Sequence, residues 1–197
     1  MGKPSYCVGF EPAELFWFRL YVEACRRGLG TALVTLVVVL GDGAKWIWDY
    51  APQFLAVAGV KLIEIVDIYH AFEYLGDLAN AVFGQGTEAA KEWVEPLKQQ
   101  LAEAGAAPIL AVLTALNPED PEATDEVRKA IVYFTNNAPR MDYPRFVALN
   151  LVLSAAKDWL GGDREQLQDA GSRAREGGRD ALDGDRSAGR GEPASAA

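Results

Sequence analysis

Histidine occurs once in this chain, as His70, and cysteine and methionine occur twice each. These shortages exclude several kinds of chemistry. A structural zinc site takes four Cys or His ligands, and a disulfide framework takes cysteines in larger, evenly paired sets. Cys7 and Cys25 supply neither and read as free thiols in a reducing cytoplasm. Positive charge is also scarce: 19 Lys and Arg face 28 Asp and Glu, for a net charge of −9. A simple nucleic-acid-binding module would carry a Lys/Arg-rich face instead, although a site that meets nucleic acid through metal ions is compatible with this balance. Long apolar runs are missing as well. Ala32 to Leu40 falls far short of the roughly 20 residues of a membrane helix. The start, MGKPSYCVGFEPAE, has neither the basic n-region nor the apolar core of a signal peptide. The expectation is a soluble, cytoplasmic protein with no membrane association. There is no P-loop, no GxSxG and no Cys–His nucleophile arrangement.

What is present is half hydrophobic over 197 residues, enough for one domain, or one domain with a tail. Residues 11–29, EPAELFWFRLYVEACRRGL, open with acids and close with Arg26, Arg27 and Gly28, the polarity of a helix. Leu33 to Leu40 is a β-branched run that reads as a buried strand. A helix starts near Lys45 and is expected to break around Pro52. Val60 to Ile68 is a second strand, with Leu62, Ile63, Ile65 and Val66 among apolar neighbours and Asp67 near its end. Helices follow over 69–83, over 87–104 on the stripe of Trp93, Leu97 and Leu101, over 107–116 and over 122–137. Residues 138–143, APRMDY, read as a loop before Pro144, and a last helix is expected over 145–160. Two parallel strands are few for a doubly wound sheet. From residue 161 onward aromatic residues disappear, and the segment is expected to be disordered.

Two strand ends carry the candidate chemistry. Asp42 stands between Gly41 and Gly43, at the carboxyl edge where α/β sheets place ligands and metals. Rigidly held carboxylates suit magnesium. A turn former or N-cap before the Lys45 helix is the competing role. Asp67 and His70 stand at the second strand-to-helix junction, where Asp67 also suits a helix cap and His70 an ordinary half-buried side chain. Trp46, Trp48, Tyr69, Phe72 and Tyr74 suit a core better than a base-stacking surface. Arg140 could bind phosphate, or pair with Asp142 in a capped loop.

Three blocks together resemble one family. VVVLGDGAKWIWDYAPQF, IVDIYHAFEYLGDLANAVFG and NNAPRMDYPRF look like the DDE transposases of bacterial insertion sequences, in the Kra-type group related to Mutator-like elements. EPAELFWFRLYVEACRRGL also looks like that group's preceding helix. The resemblance spans about residues 5–150. It implies an RNase H-like α/β core in which two aspartates and a glutamate bind two Mg2+ or Mn2+ ions for DNA cleavage and strand transfer. Asp42 then corresponds to the second aspartate and a metal ligand, Asp67 and His70 to the near-site DxxH pair, and Lys45 and Arg140 to DNA-contacting positions. The implied partner is transposon-end DNA, with association to the nucleoid when DNA-bound.

On that resemblance the expected organisation is a partial RNase H-like core over 1–70 and a helical insertion over 71–137. A loop and helix return to the core over 138–160, and a disordered tail fills 161–197. The departures are equally specific. The family's first aspartate and N-terminal DNA-binding region lie upstream of where this chain is expected to begin. Past RMDYP the family has a Gly-Ser-Gly turn, a glutamate and a basic segment ending near Met-Arg-Trp, whereas this chain reads ALNLVLSAAKDWLGGDREQLQDAG. Asp163 to Asp183 can be written in synonymous codons whose +1 frame reads IESSCKTLVHARGKGGGMRWT, which looks like that missing block. The tail therefore reads as out-of-frame translation, and Glu165 is not the triad's glutamate. The expectation is an inactive transposase fragment. The alternatives are a regulatory fragment that pairs with a full-length transposase, or an unrelated α/β ligand-binding domain that uses the edge at Asp42.

Overall fold

The computed structural model describes residues 4–151, and these belong to one compact unit. The element order is α1 (Ala13–Arg26), β1 (Leu36–Gly41), α2 (Lys45–Leu55), β2 (Lys61–Val66), α3 (Ile68–Phe83), α4 (Glu88–Ala104), α5 (Ala106–Ala115), α6 (Pro121–Asn137), a short 3-10 turn (Ala138–Arg140) and α7 (Tyr143–Ala148). The fold is α/β and mostly helical, with the helix-strand-helix-strand-helices order that the sequence periodicity predicts. Among the described residues, no helix is long and apolar enough to cross a membrane. The tail over 161–197 and most of the helix expected over 145–160 lie outside the described residues.

β1 and β2 form a parallel two-stranded sheet, from Leu36 opposite Lys61 to Gly41 opposite Val66. Side chains alternate between the two faces of such a sheet. One face, with Val37, Val39 and Leu62, packs against Trp17 of α1 and Ala51 and Leu55 of α2. The other face buries Ile63 and Ile65 of β2 but leaves Leu36, Val38 and Leu40 of β1 exposed. β1 is therefore not the fully buried strand that its β-branched run suggests. A run of apolar residues specifies extended backbone, but burial on both faces needs neighbours that the strand does not itself encode.

The helices build a second apolar layer in which α3 packs on α4 and α6, and α5 on α4 and α6. Leu75, Leu101, Ile109, Leu113 and Phe134 are fully buried there, joined by Met141, Tyr143 and Phe146. Two helix boundaries differ from expectation. α2 continues through Pro52 to Leu55. A proline within a helix costs about 3 kcal/mol, and burial of Trp48, Ala51 and Leu55 offsets it. α7 stops at Ala148 rather than running on. Asn150 adopts a left-handed conformation with φ 58, so that its N–H donates to the Val147 carbonyl at 2.9 Å while the Leu151 N–H donates to Phe146 at 3.0 Å. That is a Schellman ending with asparagine at the turn position. Residues 138–140 are a 3-10 turn, not an open loop.

Candidate functional site at the carboxyl edge of the sheet

The two glycines around Asp42 each have a packing reason. A Cβ on Gly41 would lie 2.9 Å from Ile47 Cδ1 and 3.1 Å from the Trp48 ring, so a side chain there would push both away from the close approach of α2. Gly43 has φ +96, and a Cβ there would sit 2.7 Å from the Tyr133 ring. Between them Asp42 accepts the Ala44 N–H on Oδ1 at 2.8 Å. Its carboxylate thus shapes the turn, while Ala44 occupies the N-cap position of α2 without a side-chain cap.

Asp67 is brought to the same edge. Gly41 faces Val66 in the sheet, and the Asp67 N–H donates to the Gly41 carbonyl at 2.7 Å. The Asp67 side chain caps α3 by accepting the Tyr69 N–H at 3.0 Å. His70 lies in the first turn of α3, half-exposed, with Nδ1 3.6 Å from Glu73 and its ring against Tyr74 and Tyr133. Asp42 and Asp67 are both partnered by backbone N–H groups, and both retain a second carboxylate oxygen. Among the described residues no three His, Cys, Asp or Glu side chains converge as a metal-binding group. Among the described residues, the two carboxylates at this edge are fewer than the three acids that the resemblance implies for a two-metal centre.

α6 closes the edge from above. The Tyr133 hydroxyl donates to the Asp42 carbonyl at 3.1 Å, and its ring stacks on Tyr74 at 4.2 Å with the planes 2° apart. Burial first, then Tyr74, Asp42 and Asp67, hold the Tyr133 phenol well above its ordinary range. Asn137 donates from Nδ2 to the carbonyls of Gly43 and Tyr133, and accepts the Trp48 indole N–H at 2.9 Å. It is the buried polar side chain of this region, 2 % exposed. Tyr133 and Asn137 were not singled out from the sequence. The signal for Asn137 was present: it continues the buried stripe Ala123, Val127, Ala130 and Phe134 along α6, a polar residue in an apolar phase.

An open cleft of about 520 Å3 lies beside this turn, lined by Gly43, Lys45, Trp48, Tyr74, Tyr133 and Arg140 among others. Its cations are held by neighbours. Lys45 pairs with Asp49 at 2.6 Å. Arg140 donates from Nε to Glu64 at 2.7 Å and lies 4.7 Å from the centre of the Trp48 ring. The expected Arg140–Asp142 pair does not form. Asp142 instead caps α7 through the Arg145 N–H, and Arg140 reaches across to β2, where the half-buried Glu64 needs a counter-charge. Of the aromatic residues assigned to a core, Trp48 and Phe72 are buried, whereas Trp46 and Tyr69 are 41 % and 37 % exposed. Compared with known protein families, curated proteins and solved structures, the chain matches none.

Proposed function

We infer that the chain is a fragment of an insertion-sequence DDE transposase with part of an RNase H-like core, and that it is inactive in strand transfer by itself. The observation that carries this reading is the convergence of Asp42 and Asp67 at the carboxyl end of two adjacent parallel strands. His70 stands one turn further on, and α6 lies over the turn. It supports the roles that the resemblance of the DGA-WIW and DxYH blocks gives to these residues. In an intact relative the Asp42 carboxylate would share Mg2+ or Mn2+ with two further acids, and Lys45 and Arg140 would border bound transposon-end DNA. On this reading Asp42 is the single carboxylate of that triad among the described residues.

The deciding experiment is to sequence the encoding DNA on both sides and translate every frame. The reading stands if the +1 frame after Lys157 yields a Gly-Ser-Gly-like turn, a glutamate block and Met-Arg-Trp. Stops in that frame, or no such block, would make the tail genuine. Pairing with a full-length transposase would then be the leading function, tested by co-purification. A closed sheet of four or more strands would support the unrelated ligand-binding alternative, and the described sheet has two.

A further inference from the structure

Among the described residues β1 has a neighbour on one side only, and the hydrogen-bond pattern identifies the backbone groups that face outward. The Lys61 N–H donates to the Thr35 carbonyl and the Asp67 N–H to the Gly41 carbonyl. Thr35, Val37, Val39 and Gly41 therefore turn their polar groups towards β2. The alternate residues Leu36, Val38 and Leu40 turn both N–H and C=O to the open edge. Their side chains are exposed too, at 39 %, 38 % and 56 %.

Natural sheets guard such an edge with lysine, proline, a bulge or a covering element. β1 has none of the first three: the strand reads LVVVLG, and its register with β2 is regular throughout. Its order also matters. Leu36-Val37-Val38-Val39-Leu40 reads the same in both directions, so an antiparallel partner of identical sequence centred on Val38 meets its own kind at every position. Leu36 faces Leu40, Val37 faces Val39, and Val38 faces itself. Any antiparallel self-pairing about a two-fold axis is isologous, and the palindrome adds that each side chain meets one of its own shape. Charge favours the same place: the chain carries −9 overall, so two copies repel across most approaches, whereas this edge brings no charge against charge.

We propose that β1 is a homodimerisation edge, on which two copies of this chain pair antiparallel about Val38 to form a continuous four-stranded sheet with order β2-β1-β1-β2. Leu36, Val38 and Leu40 of each copy donate and accept the inter-copy hydrogen bonds. Their side chains join into one apolar strip across the two-fold axis. The interface is independent of the transposase reading, since it needs neither metal nor DNA.

The test is sedimentation of the full chain over a range of concentrations, together with amide hydrogen exchange. A dimer of twice the 21.4 kDa chain mass is expected. The amides of Leu36, Val38 and Leu40 should become protected as concentration rises, while those of Val37 and Val39 are protected throughout. Val38→Lys places two ammonium groups against each other at the axis and should return the protein to monomer with its circular dichroism unchanged. Should that variant misfold, the exchange pattern of the unaltered protein still decides. A monomer at every concentration overturns the proposal. So does a dimer indifferent to Val38→Lys, an open-ended aggregate, or concentration-independent protection of the three edge amides by the chain's own Tyr6–Phe10 segment.

Discussion

The Trp48 indole N–H donates to Asn137 Oδ1 at 2.9 Å, joining α2 to the end of α6 across 89 positions of sequence. The same Asn137 side chain holds the Gly43 carbonyl. One buried amide thus fixes both the helix that follows the Asp42 turn and the turn itself.

Replacing that amide tests the linkage. Asn137→Leu keeps the volume but leaves the indole N–H and the Gly43 carbonyl without partners. An unsatisfied buried group costs about 1–3 kcal/mol, so a loss in the upper part of that range is expected in urea unfolding. Asn137→Asp keeps the acceptor for Trp48 and should lose less of that particular bond, which Trp48 fluorescence can follow.

Gly43→Ala should destabilise more than Gly30→Ala. Both glycines have positive φ, +96 and +84, but an added Cβ meets the Tyr133 ring at Gly43 and nothing within 4 Å at Gly30. The backbone strain is of order 1–2 kcal/mol at either site. Any excess at Gly43 in paired denaturation curves measures the close approach of α6, and equal losses would show that α6 yields freely.

In the helical layer, Leu75→Ala removes a fully buried side chain and is expected to cost about 2–5 kcal/mol. Leu33→Ala, at a side chain 88 % exposed, should stay within about 0.5 kcal/mol. Thermal melts of the pair read the difference directly.

Alkaline pH should unfold the protein. Burial holds the Tyr133 and Tyr143 phenols above their ordinary value of 10.0. The Tyr143 hydroxyl also donates to the buried Val66 carbonyl at 3.2 Å. A pKa raised on folding gives stability that is complete below the unfolded value and is lost as pH climbs towards the folded one. Melting temperature should therefore fall steeply above about pH 10. Tyr133→Phe and Tyr143→Phe should each flatten that fall, and an unchanged slope in both variants would refute the assignment.

Helix and strand order was legible in the sequence because it rests on local repeats. Apolar residues three and four apart mark α3, α4 and α6, and the β-branched runs before Gly41 and Asp67 mark the strands. Asp42 and Asp67 were legible as strand-end acids for the same reason, and the acidic charge balance is a matter of counting. Tertiary structure alone decided which face of β1 is covered, that Arg140 serves Glu64 rather than Asp142, that α2 runs through Pro52, and that the Asn137 amide meets Trp48 and Gly43. Each of these depends on which distant group supplies a partner or a covering surface. A buried amide is stable only where a remote N–H and C=O meet it, and a valine is buried only where another element lies against it. No local period carries that information.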